Sequence, residues 1–198
     1  MTGYDAPRAI ALETPDYIVR SLEIGDASDA WRDWLADPET ARMLNAQPAQ
    51  MNVDTVRGYI ASFDRVRAHL LGIFEKATGR LIGIRAVYVN RQRGEFLVNV
   101  LIGDRAARKK GARAQSRAAV YRCFFEDLDL ATARATVVAE NAVVLAGMSK
   151  RGWIPDGIDL KTGAAGRGNI EIRKFHLPRD VWRRVAAASA ADSHSQPE

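Results

Sequence analysis

The chain has 198 residues, 47% of them hydrophobic and 27% charged, with a formal net charge of +5. That suits one globular domain with its own core, and the mild basic excess favours anionic partners without choosing among nucleotides, phosphorylated cofactors and RNA. The single cysteine, Cys123, excludes an internal disulfide, and no apolar run approaches the roughly 20 residues that span a bilayer. The opening stretch "MTGYDAPRAIALETPD" has neither the basic start nor the apolar run of a signal peptide. A cytoplasmic enzyme or binding protein without membrane contact is the expectation.

Residues 1–15 carry Pro7 and Pro15 and no periodicity, which predicts a loose arm. "YIVRSL" (17–22) alternates apolar and polar side chains, as a half-buried strand does. Helical spacing of Ala27, Trp31, Trp34 and Leu35 follows, with Asp26 as the expected N-cap. "DPE" restarts a helix with Asp37 as cap and Pro38 at its first position. A third helix places Val53, Val56, Ile60 and Phe63 on one face. The period then changes to two. "AHLLGIFEK", "RLIGIRAVYV" and "EFLVNVLIG" read as an antiparallel meander joined by "ATG" and "NRQRG".

After the meander comes the basic loop "RKKGARAQS" (108–116), and then Ala114, Ala118, Tyr121, Phe125 and Leu128 at helical spacing. "ARATVVA" predicts a strand, and "ENAVVLAGMSKRG" a short helix closed by Gly152 in the left-handed conformation. Two more strands, "WIPDGIDL" and "NIEIRKFHL", flank the glycine-rich "KTGAAGRG". "PRDVWRRV" predicts a closing helix, and "AAASAADSHSQPE" a polar tail. The whole is one α+β or mixed α/β domain around a largely antiparallel sheet, folded over about residues 16–185 with loose tails at 1–15 and 186–198.

The basic loop leaves a strand and opens a helix. The first N–H groups of a helix lack internal partners and the dipole is positive there, so the terminus suits a phosphate. Gly111 lets the backbone approach a ligand, while Arg108, Lys109 and Lys110 add charge. A solvated charge run is the bland alternative. Nucleic acid is a third reading, but the loop lacks the interleaved aromatic residues on which single strands stack.

The order "LIGDRAARKKGARAQS", helix, strand, "ENAVVLAGMSKRGW", strand resembles the GNAT superfamily of acyl-CoA-dependent N-acetyltransferases. Arg108 to Arg113 stand where that family has Arg/Gln-x-x-Gly-x-Gly/Ala. Asn141 matches its asparagine after the fifth strand, and Gly152-Trp153 its helix end. The stretch 17–44, with Arg20, an aspartate, an aromatic-rich helix and "DPE", is similar to the RimJ/RimL-type branch.

The resemblance implies a GNAT fold splayed between its fourth and fifth strands, with acetyl-CoA as cofactor and a primary amine as acceptor. Acetyl transfer would be direct, and a homodimer is compatible with it. Cofactor contacts would come from Leu101, Ile102, Arg108, Lys109, Lys110, Gly111, Ala112, Arg113, Ala114 and Asn141. Glu95 is the implied candidate for a water-relayed general base, Asn99 lines the cleft or marks the splay, and Ser149 is a candidate proton donor near the thiol.

Arg113 replaces the last small residue of the loop signature, and Met148 stands where many relatives carry a tyrosine acid. These two departures motivate the alternative of a non-catalytic CoA-binding regulatory module. His69 and His176 have no partners at metal-ligand spacing and read as structural, and Cys123 reads as core. Trp31, Trp34 and Tyr59 read as packing more than as substrate contacts, and "GAAGRG" as either a lid or a hairpin.

Overall fold

The computed structural model describes residues 6–45, 52–166 and 168–194. Its strands are β1 (Ala11–Glu13), β2 (Tyr17–Ser21), β3 (Ala68–Glu75), β4 (Leu81–Asn90), β5 (Glu95–Ile102), β6 (Thr132–Val138), β7 (Ile154–Thr162) and β8 (Asn169–Pro178). They form one sheet in the order β1–β2–β3–β4–β5–β6–β8–β7. Neighbours run antiparallel except β5 and β6, which pair in parallel from Glu95↔Thr132 to Leu97↔Arg134 and no further. The helices are α1 (Asp29–Ala36), α2 (Pro38–Met43), α3 (Val53–Ala61), α4 (Ala112–Arg122), α5 (Ala142–Ala146) and α6 (Arg179–His194). Among the described residues no helix is long and apolar enough to cross a membrane.

Two apolar layers cover the sheet. On one face Trp31, Val56 and Ile60 of α1 and α3 pack on Leu70, Ile84, Ala86 and Leu101. On the other, Val120 of α4 and Phe124 and Phe125 just past its end pack on Ile73, Val87, Phe96 and Val98. Phe96 is the hub: its ring lies 5.3 Å from Phe124, 4.9 Å from Phe125 and 5.9 Å from Tyr121.

The meander and the Asp37–Pro38 restart match the sequence reading, with Asp37 Oδ2 accepting from the Thr40 N–H at 3.3 Å. Several local expectations do not hold. Part of the expected loose arm is β1, paired with β2 from Ala11↔Arg20 to Glu13↔Ile18. Ser28, not Asp26, caps α1, because Asp26 is held in a bidentate pair with Arg20 at 2.7 and 2.8 Å. The Leu35 side chain lies outside the described part.

In α4 the buried residues are Ala112, Ser116, Ala119, Val120 and Tyr121, while Ala114 and Ala118 are exposed. A run of alanines carries no phase information. A π-helical turn over Cys123–Asp127 then adds a residue and buries both Phe124 and Phe125. Helix α6 runs through the alanine-rich stretch expected to be tail, as far as His194. Alanine is the strongest helix former, and that propensity outweighs the polar residues among them. Residues 195–198 lie outside the described chain.

Replacing Phe96 by Ala removes the ring shared by three aromatic neighbours and leaves a cavity. A loss of about 3–5 kcal/mol in urea unfolding is expected. A second test uses the turn before β3, where Asp64 Oδ1 accepts from Val66, Arg67 and Ala68 N–H at 2.7–2.9 Å. Desolvation raises the carboxyl pKa, but these donors outweigh it and bring it to about 2 from an ordinary 3.8. The folded value is depressed, so the stabilisation is present above pH 3.8 and is lost as pH falls through 2. The stability gap between wild type and Asp64→Ala should therefore hold from pH 7 to 5 and shrink below pH 4.

Candidate active site

Past Leu97 and Arg134 strands β5 and β6 separate, and a cleft of about 990 Å³ opens between them. One wall is made by α4, α5 and the loop before α4. The other side is lined by Trp31, Glu39, Thr40, Tyr59 and Tyr88. Once β5 loses β6, the main-chain groups on that edge have no ladder partner and are open to a ligand.

The loop is built tightly. Gly111 caps α4 with φ 78° and ψ −3°, a conformation that disfavours any side chain. The N–H groups of Ala112 and Arg113 precede the first intrahelical bonds, which run from Ala114 and Gln115 to the Gly111 carbonyl at 3.0 Å. Two ties fix the loop to the sheet. Tyr17 Oη donates to the Lys110 carbonyl at 2.8 Å. Gln115 joins the β1–β2 turn, its Oε1 accepting from Thr14 Oγ1 at 2.9 Å and from the Asp16 N–H at 3.0 Å.

Of the residues singled out from sequence, Leu101, Ile102, Arg108, Arg113, Asn141 and Asn99 line the cleft. Arg108 Nε donates to the Ile102 carbonyl at 3.0 Å. Asn141 is the N-cap of α5, its Oδ1 accepting from Val144 N–H at 3.3 Å. Gly111, Ala112 and Ala114 form the loop and first turn beside the cleft and are not part of its lining. Ala112 is fully buried.

Three assignments meet a different geometry. Lys110 turns away from the cleft towards Glu75, with Nζ 3.9 Å from its carboxylate. Glu95 stands at the paired end of β5, where Arg134 holds it at 2.6 Å and Arg93 at 3.4 Å. It is absent from the lining, as is exposed Ser149. The side chain of Lys109 lies outside the described part.

Sequence reasoning passed over most of the cationic wall. Arg85, in the middle of β4, is only 2% exposed. Its Nε donates to Ser116 Oγ at 3.0 Å and its Nη2 to the Arg113 carbonyl at 2.8 Å. Arg117 lies one turn beyond Arg113 on α4, and Arg151 enters from the α5 side with Nη2 on the Val144 carbonyl at 3.1 Å. Desolvation, then the neighbouring Arg117 and Arg113, bring Arg85 down from 12.5 to about 9, so it stays charged at neutral pH. A charge in the middle of the otherwise apolar run "LIGIRAVYV" is the sequence signal for Arg85.

The opposite side is aromatic. Trp31 is fully buried, and Tyr59 meets it edge-on at 6.1 Å. Burial, then Tyr88, raises the Tyr59 phenol to about 12 and keeps it neutral. Glu39 is the one acidic residue among the described residues lining the cleft. His69 and His176 lie outside it, and among the described residues no group of three or more His, Cys, Asp or Glu side chains could hold a metal ion. The donor set of loop N–H groups, open strand edge and guanidinium wall suits an elongated, polyanionic ligand.

Comparison with known proteins agrees with this layout. No curated protein matches the chain by sequence. Among solved structures, a GCN5-related N-acetyltransferase from Brucella melitensis is similar at TM-score 0.77 and 13% identity, over 93% of this chain and 86% of its own. A spermidine N-acetyltransferase from Vibrio cholerae, in complex with CoA and spermine, is similar at TM-score 0.74 and 14% identity, over 85% and 98%. A GNAT family acetyltransferase from Bacillus anthracis gives 0.71 and 13%, over 86% and 99%. The family model described as an acetyltransferase (GNAT) domain matches residues 17–153. That match runs from β2 to the start of β7 and takes in both the parting of β5 from β6 and the helix N-terminus at the opening, and the chain belongs to the GNAT acetyltransferase family.

Proposed function

We propose that this chain transfers an acetyl group from acetyl-CoA to a primary amine that carries little positive charge at neutral pH, such as a peptide N-terminus or an amino sugar. We place it in the RimJ/RimL-type branch on the strength of residues 17–44. The observation that carries the reading is the cleft between β5 and β6, cationic on the α4–α5 side and aromatic on the α1–α3 side.

The residues present fit the cofactor. The start of α4 at Arg113, with Arg108 beside it in the cleft lining, would hold its phosphates. Acetyl-CoA supplies an activated acyl carbon as a thioester. What the protein adds is position and dipoles: the freed edge of β5 orients the ligand and offers N–H groups to developing negative charge.

Proton handling sets the acceptor. Glu95 and Ser149 do not line the cleft, Tyr59 is neutral, and Glu39 is exposed. With no strong base among the described residues that line the cleft, the amine must arrive largely deprotonated. An α-amino group near pKa 8 does so at neutral pH far more often than a lysine near 10.4. The cleft also opposes polycations. Its described lining holds Arg85, Arg108, Arg113, Arg117, Arg151 and Lys161 against the single Glu39.

At pH 7 the kcat/KM for an N-terminal peptide amine should exceed that for a lysine side chain, or for spermidine, by about tenfold or more. Raising the pH should narrow the lysine gap, since deprotonation gains tenfold per unit below pH 10. Efficient spermidine acetylation at pH 7 would refute this acceptor class. Absence of turnover over a broad amine panel, with CoA binding intact, would favour a regulatory CoA-binding module, the reading that buried Met148 and Arg113 in the cleft support.

A further inference from the structure

Arg85 presents an unusual physical problem. It is a guanidinium on the central part of a strand, 2% exposed, and two of its five N–H donors satisfy a hydroxyl and a carbonyl. Arg85 is also part of the cleft lining. Burying a cation without a counter-ion is costly, and such groups are normally paired. Here the neighbours make matters worse. Arg113 and Arg117 stand one helical turn apart on the wall above it, and Arg151 reaches in from the other side.

Arg151 is there because position 147 is glycine. A Cβ at Gly147 would lie 2.0 Å from its Nη1, so only glycine lets the side chain fold back over α5. Its Nη2 rests on the Val144 carbonyl and 3.7 Å from Met148 Sδ. The hydrogen bonds of Arg85 and Arg151 run to a hydroxyl, two carbonyls and a sulfur. Among the described residues no carboxylate pairs with any of the four arginines. Tyr121, buried among them, is held neutral by desolvation, which raises its pKa against the pull of the arginines. Four cations therefore converge on one part of the cleft with no protein anion to balance them.

We propose that Arg85, Arg113, Arg117 and Arg151 form a side-chain site for a phosphate-type dianion on a bound ligand, additional to the N–H groups of the loop at Gly111. The site does not depend on the acetyl-transfer reading, because its basis is unbalanced charge and not the reaction. Bidentate guanidinium donors suit phosphate oxygens. Two ligands could bring that chemistry: the phosphates of the cofactor, or an anionic substituent on the acyl group or acceptor.

The experiment uses inorganic pyrophosphate as probe, by calorimetry and thermal shift at fixed ionic strength, with wild type, Arg85→Met, Arg117→Met and the control Arg122→Met. Arg122 is exposed on α4 and outside the cleft. Pyrophosphate should bind and stabilise wild type and the control, and bind about tenfold or more weakly to Arg85→Met and Arg117→Met. Without ligand, Arg85→Met should melt no lower than wild type, since it removes an uncompensated buried charge. Arg117 is only partly buried, so its variant keeps the test sound if Arg85→Met folds poorly. Repeating the titration with saturating CoA separates the sources. Competition assigns the site to the cofactor's phosphates, and retained binding assigns it to the other substrate. Equal affinity in wild type and both variants, or no binding to wild type at about 10 mM, overturns the proposal.

Discussion

The organisation of this protein depends on the pairing between β5 and β6 stopping after three residues. In a sheet that runs from β1 to β7, the parting of β5 from β6 leaves the facing main-chain groups beyond Leu97 and Arg134 without ladder partners. Such groups are costly when buried, so the opening must be lined by ligand, water or polar side chains. The chain places there a helix N-terminus, a strand edge and a set of arginines. Elements far from the opening serve to hold it. Phe96 and its aromatic neighbours pin the closed end of the β5–β6 pair, and Trp31 fills the layer beneath the other side.

The electrostatics follow from the same opening. A net charge of +5 is modest for a chain of this length, but it is unevenly distributed. Most carboxylates are committed to surface pairs, such as Asp26 with Arg20, Glu126 with Arg183 and Glu95 with Arg134. Surface pairs of this kind add little stability individually. Their larger effect is to leave the cleft as a region where positive charge is not cancelled among the described residues, which draws anions towards it.

Much of this was legible in the sequence, for identifiable reasons. Period-two apolar runs and turn residues disclosed the meander, and the loop signature with Asn141 and Gly152-Trp153 disclosed the architecture. Local chemistry failed where it was ambiguous. Proline-flanked β1 is too short to show alternation, and alanines in α4 gave no phase. Charges whose meaning is tertiary were harder. Glu95 was singled out for its place on the right strand, but it stands at the closed end of that strand. Arg117 and Arg151 converge only because α4 and α5 face each other across the splay, and Gly147 matters only because of where Arg151 goes. No spacing along the chain encodes those encounters.

The junction of the loop with α4 is held on both sides of Gly111 by the β1–β2 region, with Tyr17 on the Lys110 carbonyl and Thr14 and Asp16 on Gln115. Its N–H groups are thus aimed before any ligand arrives. Binding to a preorganised loop does not have to freeze backbone rotation, so more of the contact energy is retained as affinity. The short N-terminal strand, remote from the cleft in sequence by about a hundred residues, is by this route part of the receptor's rigidity. Fraying of that edge would be felt as looser ligand recognition while every residue of the cleft itself remained in place.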